Sequence, residues 1–62
     1  MTIGEVKKAL NRTVRFRDAE YVLTGCIIRL DPRRGSFFYQ AELTDTTTGK
    51  SIVIARLEEV HI

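Results

Sequence analysis

Three consecutive stretches decide the fold: Tyr21-Val22-Leu23-Thr24-Gly25-Cys26-Ile27-Ile28-Arg29-Leu30, then Asp31-Pro32-Arg33-Arg34-Gly35, then Phe37-Phe38-Tyr39-Gln40-Ala41-Glu42-Leu43-Thr44. The first is long, apolar and rich in β-branched residues, the composition of a strand. Gly25 interrupts it, and an isolated glycine inside a strand marks a bulge or a sharp bend. The second is a turn: proline presets φ at its second position and glycine supplies positive φ at its end. The third alternates, with Phe37, Tyr39, Ala41 and Leu43 on one face and Phe38, Gln40, Glu42 and Thr44 on the other. Together they read as a long hairpin with a bent first strand.

Working outward, Thr13-Val14-Arg15-Phe16-Arg17 alternates too, with Val14 and Phe16 on one side and the arginines on the other. Asp18-Ala19-Glu20 reads as a short turn. Asp45-Thr46-Thr47-Thr48-Gly49-Lys50 is a polar loop, and Ser51 to Arg56 a fourth strand. Leu57-Glu58-Glu59 reads as one helical turn, after which Val60-His61-Ile62 adds a short fifth strand. Upstream, Thr2 as N-cap and Glu5 three residues later form a capping box, and Met1 and Val6 fall at the positions of a hydrophobic staple. Ile3, Val6 and Leu10 share one helical face, and Lys7 and Lys8 suit the negative end of the helix dipole. The spacing predicts a helix over Thr2 to Leu10, ended by Asn11.

The fold class expected is therefore mainly β (α+β): an N-terminal helix (2–10), then a four- or five-stranded bent antiparallel sheet (13–62) closing as an SH3-like barrel. The expected core is Val6, Leu10, Val14, Phe16, Leu23, Ile27, Ile28, Phe37, Tyr39, Leu43, Ile52 and Ile54. Cys26-Ile27-Ile28 and Ile52-Val53-Ile54 are apolar on both faces, where a half-solvated strand would alternate. Something must cover the second face: the helix stripe of Ile3, Val6 and Leu10, or a partner.

The chain has 62 residues, enough for one domain. So short a chain buries only about 60% of its unfolded surface, which leaves a thin stability margin. One Cys and one His provide neither an internal disulfide nor a zinc cage. The first ten residues carry Glu5, Lys7 and Lys8, unlike a signal peptide. No run approaches the roughly 20 apolar residues of a membrane helix. The cytoplasm is the expected compartment and no membrane association is expected. Cys26 reads as a reduced, inert core thiol.

Catalytic chemistry finds little to work with. Thr48-Gly49-Lys50-Ser51 resembles the end of a phosphate-binding loop, but that motif needs glycine where Thr44 stands and a helix where a β-branched strand follows. His61 is the sole imidazole, next to the C-terminal residue. Glu58 and Glu59 are adjacent acids that point apart. No catalytic, metal or cofactor-binding residue is assigned, no cofactor is expected, and the chain reads as non-enzymatic. Binding is the expected role, to another protein or to a second copy in a homo-oligomer. The alternative is RNA or single-strand nucleic acid. Seven of ten basic residues are arginine, whose planar donors suit phosphate, and Arg15, Arg17, Arg29, Arg33, Arg34 and Phe38 form a candidate Arg/aromatic surface for nucleic acid or a partner. Against it, net charge is only +2, with Asp18, Glu20, Asp31 and Glu42 among the arginines.

The segments Val14-Arg15-Phe16, Tyr21-Val22-Leu23-Thr24-Gly25, Phe38-Tyr39-Gln40-Ala41-Glu42-Leu43 and Leu57-Glu58-Glu59-Val60 resemble those of short uncharacterised proteins of bacteria and their phages or mobile elements. That resemblance implies a small SH3-like barrel of unassigned role, and it carries over no catalytic or ligand residues.

Overall fold

A computed structural model describes residues 1–62. Helix α1 (Ile3–Ala9) is followed by β1 (Thr13–Phe16), β2 (Ala19–Asp31), β3 (Ser36–Asp45), β4 (Ile52–Arg56) and a 3-10 turn (Leu57–Glu59). The strands form one antiparallel sheet in the order β1-β2-β3-β4. The sheet curls into a half-barrel, and the molecule is elongated, 37 × 22 × 18 Å.

The capping box forms as read: the Glu5 N–H donates to Thr2 Oγ1 at 3.2 Å and the Thr2 N–H to Glu5 Oε1 at 2.8 Å. Thr2 and Leu10 are the caps, so α1 is one residue shorter at each end than the spacing predicts. Only Val6 and Ala9 of the helix are buried; Ile3 and Leu10 are exposed. At seven residues the helix makes two turns, too few to lay a three-residue stripe on the sheet. The Met1 ammonium donates to the carbonyls of Leu57 (2.9 Å) and Val60 (3.2 Å), tying the chain start to the 3-10 turn.

The β1–β2 turn departs from its reading. Phe16 pairs with Ala19, which leaves Arg17 and Asp18 as a two-residue turn with φ of 49° and 60°. Arg17 is thus in the turn and not in the strand. Positive φ at both central positions is a type I′ turn, whose twist matches a hairpin and which usually carries Asn-Gly. The β2–β3 turn is as read: the Gly35 N–H donates to the Asp31 carbonyl at 2.8 Å, and Gly35 has φ 64°. At Gly25 the register slips, Leu23 facing Leu43 and Gly25 facing Glu42, so Thr24 is the extra residue of a bulge. Its hydroxyl lies 2.7 Å from Glu42 Oε2 and 2.9 Å from Thr44 Oγ1. The expected fifth strand reduces to a single bridge, Arg15 exchanging backbone hydrogen bonds of 2.7 and 2.9 Å with His61. That bridge occupies the outer edge of β1.

The core lies on the concave side: Val6, Ala9, Val14, Phe16, Leu23, Ala41, Leu43, Ala55, Leu57 and Val60. Of the expected core, Val6, Val14, Phe16, Leu23 and Leu43 belong to it. Ile27 is only half-buried, and Leu10, Ile28, Phe37, Tyr39, Ile52 and Ile54 are exposed. The physical reason is length. Phe37, Tyr39, Ala41 and Leu43 do share a face, but helix, β1 and β4 reach only its Ala41–Leu43 end. Ile52 and Ile54 point to the convex side, facing Thr44 and Glu42 across the ladder, where the helix does not lie.

Candidate binding surface

Pairing accounts for what projects. β1 pairs with β2 only over Ala19–Val22, and β4 with β3 only over Gln40–Thr44. Beyond those limits β2 and β3 continue as a two-stranded arm, from Ile28 facing Tyr39 to Asp31 facing Ser36. Cross-strand partners share a face, so Ile28 and Tyr39 stand on the concave side, as do Leu30 and Phe37. All four are exposed, Phe37 by 67%, Ile28 by 63% and Leu30 by 54%. Together they leave on the order of 400 Å² of apolar side chain uncovered, as much as the largest patch on a typical monomer. The arm's two backbone edges, Thr24–Asp31 and Ser36–Tyr39, have no partner strand.

The convex side carries Arg29 opposite Phe38. A shallow groove of about 770 Å³ runs along the arm from its tip to Arg56 at its base, lined by Arg29, Arg34 and Phe38 and also by Phe37 and Tyr39 of the concave face. Arg34 lies 4.0 Å from Asp31 and Arg56 4.0 Å from Glu58. Arg29 and Arg33 have no acidic partner.

The six sequence-derived site residues fall into two groups. Arg29, Arg33, Arg34 and Phe38 gather at the tip of the arm. Arg15 and Arg17 sit at the opposite end: Arg15 pairs across the ladder with Glu20, its guanidinium 3.9 Å from that carboxylate, and Arg17 lies 5.1 Å over the Phe16 ring. Glu20 and Arg29 are nine residues apart on β2, about 30 Å along the strand. The sequence reading missed Arg56, which β4 places at the base of the arm, opposite Gln40, where it lines the same groove. It also missed the exposure of Ile28, Leu30, Phe37 and Tyr39; the signal was available in the unequal strand lengths.

Elsewhere, Asp45 caps the β3–β4 loop, accepting from the Thr47 N–H (2.9 Å), the Thr48 N–H (3.3 Å) and the Thr48 hydroxyl (3.0 Å). These donors hold its carboxyl below the usual range, the Thr47 N–H foremost. A hairpin loop, with Gly49 at φ 68°, therefore stands where the phosphate-loop fragment was noted. Burial raises the Cys26 thiol pKa. No three His, Cys, Asp or Glu side chains cluster as metal ligands, and no helix is long and apolar enough to cross a membrane. Comparison with known proteins finds no matching family model, no matching curated protein and no matching solved structure.

Proposed function

We propose that the chain is a small non-enzymatic binding module whose interaction surface is the β2–β3 arm, with protein, including a second copy, as its partner. One observation carries the reading: the arm holds its apolar face and both backbone edges clear of the core. Water contact on Ile28, Leu30, Phe37 and Tyr39 is unfavourable by about 25 cal/mol for each Å², which a docked surface would recover. Exposed edges give a partner strand main-chain hydrogen bonds as well.

The test is to replace Ile28, Leu30 and Phe37 together by threonine, which keeps β propensity. The expected result is that the parent associates as concentration rises while the variant, folded by circular dichroism, does not. A triple variant that unfolds, or one that associates as strongly as the parent, overturns the reading.

A second reading, RNA or single-strand binding, is favoured by Phe38, 36% exposed and opposite Arg29, which has no acidic partner. It ranks lower because Asp31 and Glu58 stand beside Arg34 and Arg56, and Arg15 and Arg17 are remote. Affinity for a labelled single-stranded oligonucleotide that falls steeply with salt and is lost in Arg29→Glu would support it; no binding at low salt would discard it.

A further inference from the structure

We infer that the open edge of β2 pairs antiparallel with the same edge of a second copy, centred on Ile27; this rests on the binding role proposed above for the arm. The edge from Thr24 to Asp31 is long, apolar at Cys26, Ile27, Ile28 and Leu30, and free of the lysines and prolines that guard solvent-facing edges. The His61 bridge occupies the outer edge of β1, and the β3 edge spans only Ser36–Tyr39.

Symmetry and the pleat restrict the register. A two-fold contact makes one residue of β2 face its own copy. Partners must share a face, so the two-fold falls on a residue and not between two. With Ile27 facing Ile27, Cys26 faces Ile28 on the concave side and Gly25 faces Arg29 on the convex side. Charge selects this register. Gly25 has no side chain, and Glu42 lies over it, with its Oε2 3.3 Å from where a Cβ would stand. Glu42 has no cationic partner within its own chain, and Arg29 no acidic one. The pairing brings Arg29 of each copy to Glu42 of the other, two ion pairs for one dimer. A centre one residue along sets Asp31 opposite Gly25, acid against Glu42, and is disfavoured.

Across the joined edges Ile28 of each copy lies beside Cys26 of the other, so apolar contact adds to the main-chain hydrogen bonds and the two ion pairs. The sheet curls toward its concave face, so the joined arms form one trough lined by Ile28, Leu30, Phe37 and Tyr39 of both copies.

The test combines sedimentation equilibrium, from micromolar to millimolar protein, with disulfide trapping. Directly opposed residues at a non-hydrogen-bonded antiparallel position lie about 4.5 Å apart at Cα, within disulfide reach. In a Cys26→Ala background, Ile27→Cys is expected to cross-link under mild oxidation, and Ser36→Cys, on the other strand, is not. Arg29→Glu and Glu42→Arg are each expected to weaken the dimer about tenfold, and the double swap to restore it. A strict monomer overturns the self-pairing and leaves the arm for a different protein. A dimer indifferent to Arg29 and Glu42, in which Ile27→Cys does not cross-link, overturns the edge and register while keeping self-association. A monomer whose Arg29→Glu variant loses oligonucleotide binding overturns it in favour of the Arg/aromatic surface.

Discussion

Replacing Asp18 tests the local geometry most directly. Asp18 is the second residue of the type I′ turn, with φ of 60°. It is exposed and forms no ion pair or side-chain hydrogen bond, so its substitution reads backbone conformation. Left-handed backbone costs an L-residue about 1–2 kcal/mol, less for Asp than for most. Glycine escapes that cost but adds about 0.5–1 kcal/mol of unfolded-state freedom. Asp18→Gly is therefore expected to stabilise by about 0.5 kcal/mol. Asp18→Val, β-branched at a positive φ, is expected to destabilise by about 1–2 kcal/mol. For a domain of this size 1 kcal/mol moves the midpoint by about 4–8 °C, so the two variants would be separated by roughly 10 °C. Thermal and urea unfolding, at dilute protein to keep association out, measure the series. A valine variant as stable as the parent, or a glycine variant less stable than it, would refute the turn assignment and return Arg17 to the strand.

The remaining predictions concern packing, acid stability and the thiol. Leu43→Ala, at a fully buried site, is expected to cost about 2–5 kcal/mol, whereas Ile28→Thr on the arm costs under about 1 kcal/mol; urea midpoints of dilute protein compare them, and equal losses would mean the arm is core. The Thr2 N–H lowers the Glu5 pKa, and the Thr47 N–H foremost lowers that of Asp45; both groups are thus more readily ionised when folded. Their stabilisation is complete above the ordinary values of 4.5 and 3.8 and is lost as pH falls through those values toward the lower folded ones. Glu5→Gln keeps the acceptor for the Thr2 N–H, and Asp45→Asn keeps that for the Thr47 N–H while losing the Oδ2 that accepts from Thr48; each is expected to flatten the acid limb of a pH–stability curve, the second with a lower plateau, and an unchanged slope would contradict the assignment. Burial disfavours the Cys26 thiolate, so alkylation at about pH 8 is expected to run slower than that of a free thiol, and equal rates would contradict it.

Much of the fold was legible because the informative signals were local. The Thr2–Glu5 capping box, the Asp31–Gly35 turn and the Gly25 bulge each depend on residues within a few positions, and each formed. The β1–β2 turn was misread because Arg17-Asp18 lacks the usual Asn-Gly chemistry; ladder pairing and the stacking of Arg17 on Phe16 outweigh local preference. The core was legible by face but not by position along a strand. Alternation tells which side Phe37 and Tyr39 occupy; it says nothing about whether another element reaches that far. Arg56 meets the groove at the base of the arm through β4 pairing, a contact no spacing reveals.

The arm also changes how the size of the chain bears on its role. A domain of 62 residues gains by burying every large apolar side chain it has. Here Leu23, Leu43, Val14 and Val60 are fully enclosed, while Ile28, Leu30 and Phe37 stand mostly in water on the same concave face. Polar residues at those three positions would preserve the ladder, since hairpin pairing needs only β propensity and the Asp31–Gly35 turn. Their apolar character thus contributes little to the isolated fold, and it favours association through the exposed edge. The convex side of the arm does not follow that logic, because Arg29 opposite Phe38 is compatible with solvent on its own; Ile52 and Ile54, exposed on the convex side of β4, lie outside the arm. A purely stabilising role for the arm leaves unexplained why its most exposed ring, Phe37, is 67% in water; a binding role does not.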